Sequence, residues 1–146
     1  MLRVSSTTQI VELIENEKVL WRAPVSTSAY GMGEAPGSQK TPRGLHAIAE
    51  KIGAGCPSNT IFESRVPCGI WDGAPSEKDL ILTRILWLEG LEESNRSTHA
   101  RYIYFHGTNH ESNIGTPASH GCIRLKNADM LDLFNRVETG AQVYIE

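Results

Sequence analysis

The chain has 146 residues and a mass of 16.1 kDa, the length of a single domain that can bury a stable core without disulfides or a structural metal. With 40% hydrophobic and 21% charged residues, it does not read as a disordered segment. Fourteen Lys and Arg against seventeen Asp and Glu give a net charge of −3, and no basic stripe stands out, which argues against nucleic acid as the main partner.

The first twenty residues hold no uninterrupted apolar run, because Glu12, Glu15 and Glu17 break it, so they do not read as a signal peptide. No stretch approaches the roughly 20 apolar residues of a membrane span. The location expected for the chain as written is cytoplasmic, with the periplasm or cell wall as the alternative if it is a trimmed piece of a longer protein. Three cysteines, Cys56, Cys68 and Cys122, leave at least one free thiol, which suits a reducing compartment.

Residues 8–15 and 18–25 are rich in Val, Ile and Leu and flank Asn16-Glu17, which predicts a hairpin. Pro24 places the second strand's end at a sheet edge. Residues 29–44 carry Gly and Pro repeatedly and read as a loop. Within it, Thr41-Pro42-Arg43-Gly44 suits a type I turn. A strand is expected at 45–52, and largely irregular chain at 53–79. The apolar run 80–88 reads as a buried strand, and 89–99 as a surface loop. Residues 101–106 alternate, with Ile103 and Phe105 on one face and Tyr102, Tyr104 and His106 on the other, a strand ending in a histidine. Met130, Leu133, Phe134 and Val137 form one face of a helix over 128–138, with Asn127 as its cap and Gly140 as its end. A strand at 141–145 closes the chain. The fold class is mostly β, one domain with one helix. Trp21 and Trp87 read as core, Trp71 as a candidate pocket wall, and His46 and His99 as structural or surface residues.

Reactive side chains gather between 106 and 122: His106, His110, His120 and Cys122, punctuated by Gly107, Gly115 and Gly121. A cysteine in a Ser-His-Gly-Cys turn sits where glycine lets the backbone fold tightly. Consecutive N–H groups of such a turn can stabilise a developing oxyanion. A free thiol is only slightly ionised at neutral pH and gains from a nearby imidazole. These are the parts of a Cys–His acyl-transfer site. The same His and Cys types could ligate zinc. However, the spacing of His106 and His110 needs a helix or tight loop where a strand is expected, so no metal and no cofactor is anticipated.

The run His106-Gly107, followed by Ser119-His120-Gly121-Cys122-Ile123-Arg124, resembles the catalytic signature of the L,D-transpeptidase (YkuD-type) family. Thr41-Pro42-Arg43-Gly44 and the preceding Pro24-Val25-Ser26-Thr27 resemble that family's strand end and turn, and Asn127 to Val143 its closing helix and strand. The resemblance spans roughly residues 8–52 and 101–146. It implies a β-sandwich with a short helix after the nucleophile, and one catalytic domain over 1–146, with 53–100 as a pocket-wall or lid insertion. It also implies Cys122 as nucleophile and His106 as general base, oriented by the Gly107 carbonyl. His120, Gly121 and Cys122 would supply oxyanion N–H groups, and the His120 side chain would shape the site. Ser119 and Arg124 would brace the turn or bind a substrate carboxylate. The implied partner is a peptidoglycan stem peptide or a soluble muropeptide, with no nucleic acid and no membrane. The implied reaction is a Cys122 thioester with release of D-Ala. An amine then resolves it to a 3–3 cross-link, or water resolves it as in an L,D-carboxypeptidase. Carbapenem acylation of Cys122 follows from the same resemblance. A non-catalytic wall-peptide binding module is the remaining alternative.

Overall fold

A computed structural model describes all residues from 1 to 146. Ten strands and one α-helix form a single unit: β1 Leu2–Ser5, β2 Ile10–Glu15, β3 Lys18–Pro24, β4 Gly44–Ile52, β5 Thr60–Glu63, β6 Val66–Ile70, β7 Leu82–Gly90, β8 Tyr104–Gly107, β9 Ile123–Leu125, α1 Asn127–Arg136 and β10 Gln142–Ile145. The chain is mostly β with one helix, as the sequence implies. The two faces of the sandwich are parts of one continuous sheet, in the order β3-β2-β1-β10-β4-β7-β5-β6, with β8 also paired to β7 and β9 to β8. A bridge between Ser26 and Arg124 brings the β9 edge round to the segment that follows β3, so the sheet curls almost into a closed barrel.

The curl encloses one large core. It draws Leu2 and Val4 from β1, Val11 and Leu13 from β2, Val143 and Ile145 from β10, Leu86 and Leu88 from β7, Ile103 and Phe105 from the β8 segment, and Ile123 and Leu125 from β9. The apolar face of α1 covers this core with Met130, Leu133 and Phe134, joined by Val137 just past the helix end, all buried. The i, i+3, i+4 spacing of the first three is why residues 127–136 are helical here. A smaller cluster of Phe62, Ile85, Trp87 and Tyr104 lies apart from it and packs against Cys122.

The β2–β3 hairpin forms as expected, with Asn16 and Glu17 both at positive φ (50° and 66°), the conformation of a type I′ turn. β3 is an edge strand, which accommodates Pro24. Several expectations are corrected. β1 was not foreseen. Residues 53–79 are largely irregular as expected but hold an unforeseen hairpin, β5 and β6, paired through Ser64 and Arg65, again both at positive φ. That turn lacks the usual Gly or Asn, and Pro67 and Gly69 disguise β6, an exposed strand. Thr41–Gly44 forms no hydrogen-bonded turn and leads into β4 through Gly44 at φ +97°. Asn127 does not cap α1; it is the first helical residue, and Glu111 Oε2 accepts its backbone N–H at 2.7 Å from outside. Nor does Gly140 end the helix, which stops at Arg136. Lys51 Nζ donates to the Phe134 and Val137 carbonyls, both at 2.7 Å. An acid at the N-terminus and a cation at the C-terminus both oppose the helix dipole favourably.

Residues 53–100 do not act as one insertion. β7 is an internal strand with seven consecutive buried residues, paired to β4 on one side and β8 on the other. Residues 53–81 carry the β5–β6 hairpin, which joins the same sheet beside β7 through Ile61 and Leu82. The stretch 89–99 is likewise not all loop, since Glu89 and Gly90 belong to β7 and Glu93–Asn95 forms a 3-10 turn with Asn95 buried.

Candidate active site

β8 and β9 run parallel, with Phe105 opposite Ile123 and His106 opposite Arg124. Alternation along each strand then separates two faces. Ile103, Phe105, Ile123 and Leu125 enter the large core. Tyr104, His106, Cys122 and Arg124 share the other face. One register therefore assembles the residues that the motif names, although His106 and Cys122 are sixteen positions apart.

His106 is 2% exposed. Its Nδ1 lies 2.5 Å from the Gly107 carbonyl oxygen. That oxygen only accepts, so Nδ1 carries the proton and Nε2 the lone pair. Burial lowers the His106 pKa; the Gly107 bond and the charge of Asp79 act the other way, and Arg124 adds to the lowering. The ring is therefore neutral at neutral pH. Gly107 is obligatory: a Cβ there would run into Asn127 Oδ1 and stand 2.8 Å from the Leu82 carbonyl.

Cys122 is half-buried and unpaired. Its thiol donates to the Tyr102 carbonyl at 3.3 Å and accepts the Tyr104 N–H at 3.4 Å. Burial pushes the thiol up to about 12, against the smaller opposing effect of the Tyr104 N–H. At rest it is a neutral thiol. Gly121 has φ +129°, and a Cβ there would lie 3.3 Å from Ile103 Cδ1. Ser119, fully buried, donates its hydroxyl to the Cys122 carbonyl at 2.6 Å and accepts the Gly121 N–H at 3.3 Å. This fits the bracing alternative for Ser119. The N–H groups of His120 and Cys122 make no hydrogen bond within the protein, which leaves them as donors.

The turn is anchored from the N-terminal half. Residues 26–29 run alongside 118–124 through Ser26–Arg124, Thr27–Ser119 and Ala29–Ser119 backbone bonds. Thr41 is fully buried; its hydroxyl accepts the Ser28 N–H and donates to the Gly121 carbonyl, both at 2.9 Å. This is the physical work of the threonine in Thr41-Pro42-Arg43-Gly44.

Arg124 is 1% exposed and pairs through Nη1 with Asp79 Oδ1 at 3.0 Å. Asp79 Oδ2 also lies 3.4 Å from His120 Nδ1, on a largely exposed ring. Burial raises the Asp79 pKa, but His106, Arg124 and His120 together outweigh it and hold the carboxyl below its ordinary value. Sequence reasoning missed Asp79. It sits in a polar stretch before β7 with no motif around it, and only the fold brings it to the site. His110 does not join the cluster; its Nε2 meets the Ser76 carbonyl at 2.7 Å. No group of three or more His, Cys, Asp or Glu side chains is placed to hold a metal ion. Beside His120 lies a cleft of about 280 Å³, lined also by Gln39, Arg101 and Ile103.

The sequence matches the L,D-transpeptidase catalytic domain (YkuD) over residues 1–145. It is 38% identical over 50 residues to YqjB of Bacillus subtilis, named as an L,D-transpeptidase, covering 34% of this chain and 28% of that protein. It is 50% identical over 49 residues to YkuD of Bacillus licheniformis, covering 34% and 30%. These matches thus span less than a third of each relative's length. Among solved structures, an L,D-transpeptidase from Xylanimonas cellulosilytica superposes with a TM-score of 0.65 at 22% identity, over 99% of this chain and 59% of that one. L,D-transpeptidase 3 from Mycobacterium tuberculosis gives 0.59 at 15%, over 99% and 60%. Matched over nearly its whole length, the chain belongs to the YkuD family of L,D-transpeptidase catalytic domains.

Proposed function

We propose that this chain is a cysteine acyltransferase acting on peptidoglycan stem tetrapeptides. The observation that carries the reading is the β8–β9 register, which sets Cys122 and a neutral, Nδ1-protonated His106 on one face. The thiol exchanges the Tyr102 carbonyl for His106 Nε2 as proton acceptor. As the proton moves to Nε2, the sulfur attacks the carbonyl joining the third residue's L-centre to D-Ala. The N–H groups of His120 and Cys122 face the resulting oxyanion. The C–N bond then breaks, His106 returns its proton to the departing D-Ala amine, and a thioester remains on Cys122. An amine from a second stem peptide takes the acyl group, giving a 3–3 cross-link and regenerating the thiol.

The experiment is to incubate the protein with a disaccharide-tetrapeptide and weigh the products. Loss of D-Ala with formation of dimer is the expected result. Tripeptide alone means that water is the acceptor and the chain is an L,D-carboxypeptidase. Binding without turnover supports the non-catalytic module. Cys122→Ala abolishes turnover and His106→Ala nearly does so; activity surviving Cys122→Ala refutes the thiol mechanism. A solved structure of the L,D-transpeptidase LdtMt1 is a complex with the carbapenem imipenem. A carbapenem is accordingly expected to add its mass to the wild-type chain and not to Cys122→Ala.

A further inference from the structure

Arg65 stands at the tip of the β5–β6 hairpin, which pairs with β7 at one end of the sheet. Its guanidinium lies 4.8 Å from the Trp87 ring centroid and 5.0 Å from that of Tyr102, and Nη1 donates to Tyr104 Oη at 3.2 Å. Contact with both rings and the bond to the Tyr104 hydroxyl hold the fork in place. Tyr102 and Tyr104 are the two residues whose backbone holds the Cys122 thiol. The guanidinium therefore stands one tyrosine side chain away from the nucleophile.

Arg65 takes part in none of the chain's ion pairs. Glu50, the carboxylate that acts on it from a distance, lies 4.0 Å from His99 instead. Of the five N–H donors of its fork, one bond to Tyr104 is made. The other arginines near the thiol are engaged. Arg124 is buried against Asp79, and Arg101 donates to Gly33 O, Ser38 Oγ and Lys40 O. Arg65 also occupies a left-handed turn position, φ 64°, that Gly or Asn ordinarily fills.

We propose that Arg65 binds a carboxylate of the stem peptide flanking the scissile bond, and so selects among stem peptides by their acidic groups. The inference rests on the functional reading above. Two carboxylates fit this chemistry: the terminal one of the departing D-Ala, and a side-chain carboxylate on the third residue when that residue is a diamino diacid. A planar fork suits a bidentate carboxylate better than a point charge does.

The test uses four synthetic tetrapeptides of the sequence L-Ala–γ-D-Glu–meso-diaminopimelate–D-Ala: the free acid, the D-Ala amide, the side-chain amide and the doubly amidated form. Arg65→Asn keeps the left-handed turn and removes the fork; Arg65→Lys keeps the charge alone. KM is measured in the active forms, and Kd in the same proteins carrying Cys122→Ala. Arg65→Asn is expected to raise KM and Kd for the free acid at least tenfold, with Arg65→Lys between it and wild type. Amidating the recognised carboxylate erases the difference between wild type and Arg65→Asn, which identifies that carboxylate. Equal losses on all four peptides, or no loss on any, overturn the inference and leave the functional reading standing. If the protein with Arg65 intact neither turns over nor binds any of the four, the functional reading falls and this inference with it.

Discussion

Asp79→Asn removes a charge and keeps the shape. Its partner Arg124 is 1% exposed, Asp79 is 26% exposed, and the two meet at 3.0 Å. Deleting one member of a buried pair costs about 3–5 kcal/mol, because the other charge stays buried. The quarter exposure of Asp79 and the oxygen that Asn retains bring this down to about 2–3 kcal/mol. For a domain of this size that is a fall in Tm of roughly 5–10 °C at neutral pH. The effect has a definite pH signature. The Asp79 carboxyl is held below its ordinary 3.8, so its stabilisation is present above that value and is lost as pH falls through the lower folded value. The Tm gap between wild type and Asp79→Asn should therefore close on acidification below about pH 4. Activity gives a second readout. Asp79 raises the His106 pKa, so its loss moves the acid limb of kcat/KM to lower pH. Equal Tm values at neutral pH, a gap that persists undiminished at pH 3, or an acid limb that moves upward would each refute the reasoning.

Thr41→Val strands the buried Ser28 N–H and Gly121 carbonyl, at about 1–3 kcal/mol for each group. Denaturant melts should show a loss near 2–4 kcal/mol, with most of it recovered in Thr41→Ser. Gly107→Ala forces a Cβ against Asn127 and Leu82, and about 3 kcal/mol or more is expected from such overpacking in a fixed backbone; a mild effect would mean that this backbone yields. Burial lowers the pKa of both His46 and His106, so each favours the fold only while neutral. Stability should be complete above about pH 6.5 and fall below it, and equal melts at pH 7.5 and 5.5 would contradict this. Burial of the Cys122 thiol predicts that iodoacetamide at neutral pH labels the exposed Cys68 first, as peptide mass mapping would show; Cys122 labelled first contradicts a resting thiol.

What the sequence made legible was local. The hairpin at 10–24 shows because its two β-rich runs flank a two-residue turn, and α1 because Met130, Leu133 and Phe134 keep helical spacing. His106 and Cys122 show because a tight turn and a strand end leave a dense pattern of Gly, His and Cys. The hairpin at 60–70 did not show, because Ser64 and Arg65 adopt left-handed conformations without the residues that normally mark them. Asp79 and Arg65 did not show because each is an ordinary surface type in a stretch with no periodicity. Only the pairing of β7 with β8, and of β5 with β7, carries them to the neighbourhood of Cys122. Ser119 and Arg124 were legible as motif positions, but not in what they touch, since burial decides whether a polar group meets a ligand or braces the backbone.

The histidine's support illustrates why Gly107 and Asn127 belong together. Between Leu82 and Ile85 the β7 register shifts, so that Ile85 pairs with His106 while Leu82 pairs with Gly107. The shift is made at Thr83, a buried β-branched residue at φ +77°, a conformation that costs on the order of 1–3 kcal/mol. Two bonds offset it: Thr83 Oγ1 accepts the Asn59 N–H at 3.1 Å and donates to Asn127 Oδ1 at 2.7 Å. Asn127 in turn donates to the Thr108 carbonyl at 2.7 Å. Its side chain thus fills the space beside Gly107 that a Cβ would need and ties β7 to the residue after β8. The Gly107 carbonyl is the group that fixes the His106 tautomer, so the strained strand, the helix's first residue and the glycine serve one end. They hold a carbonyl still, and the carbonyl sets which nitrogen of His106 is free to take a proton.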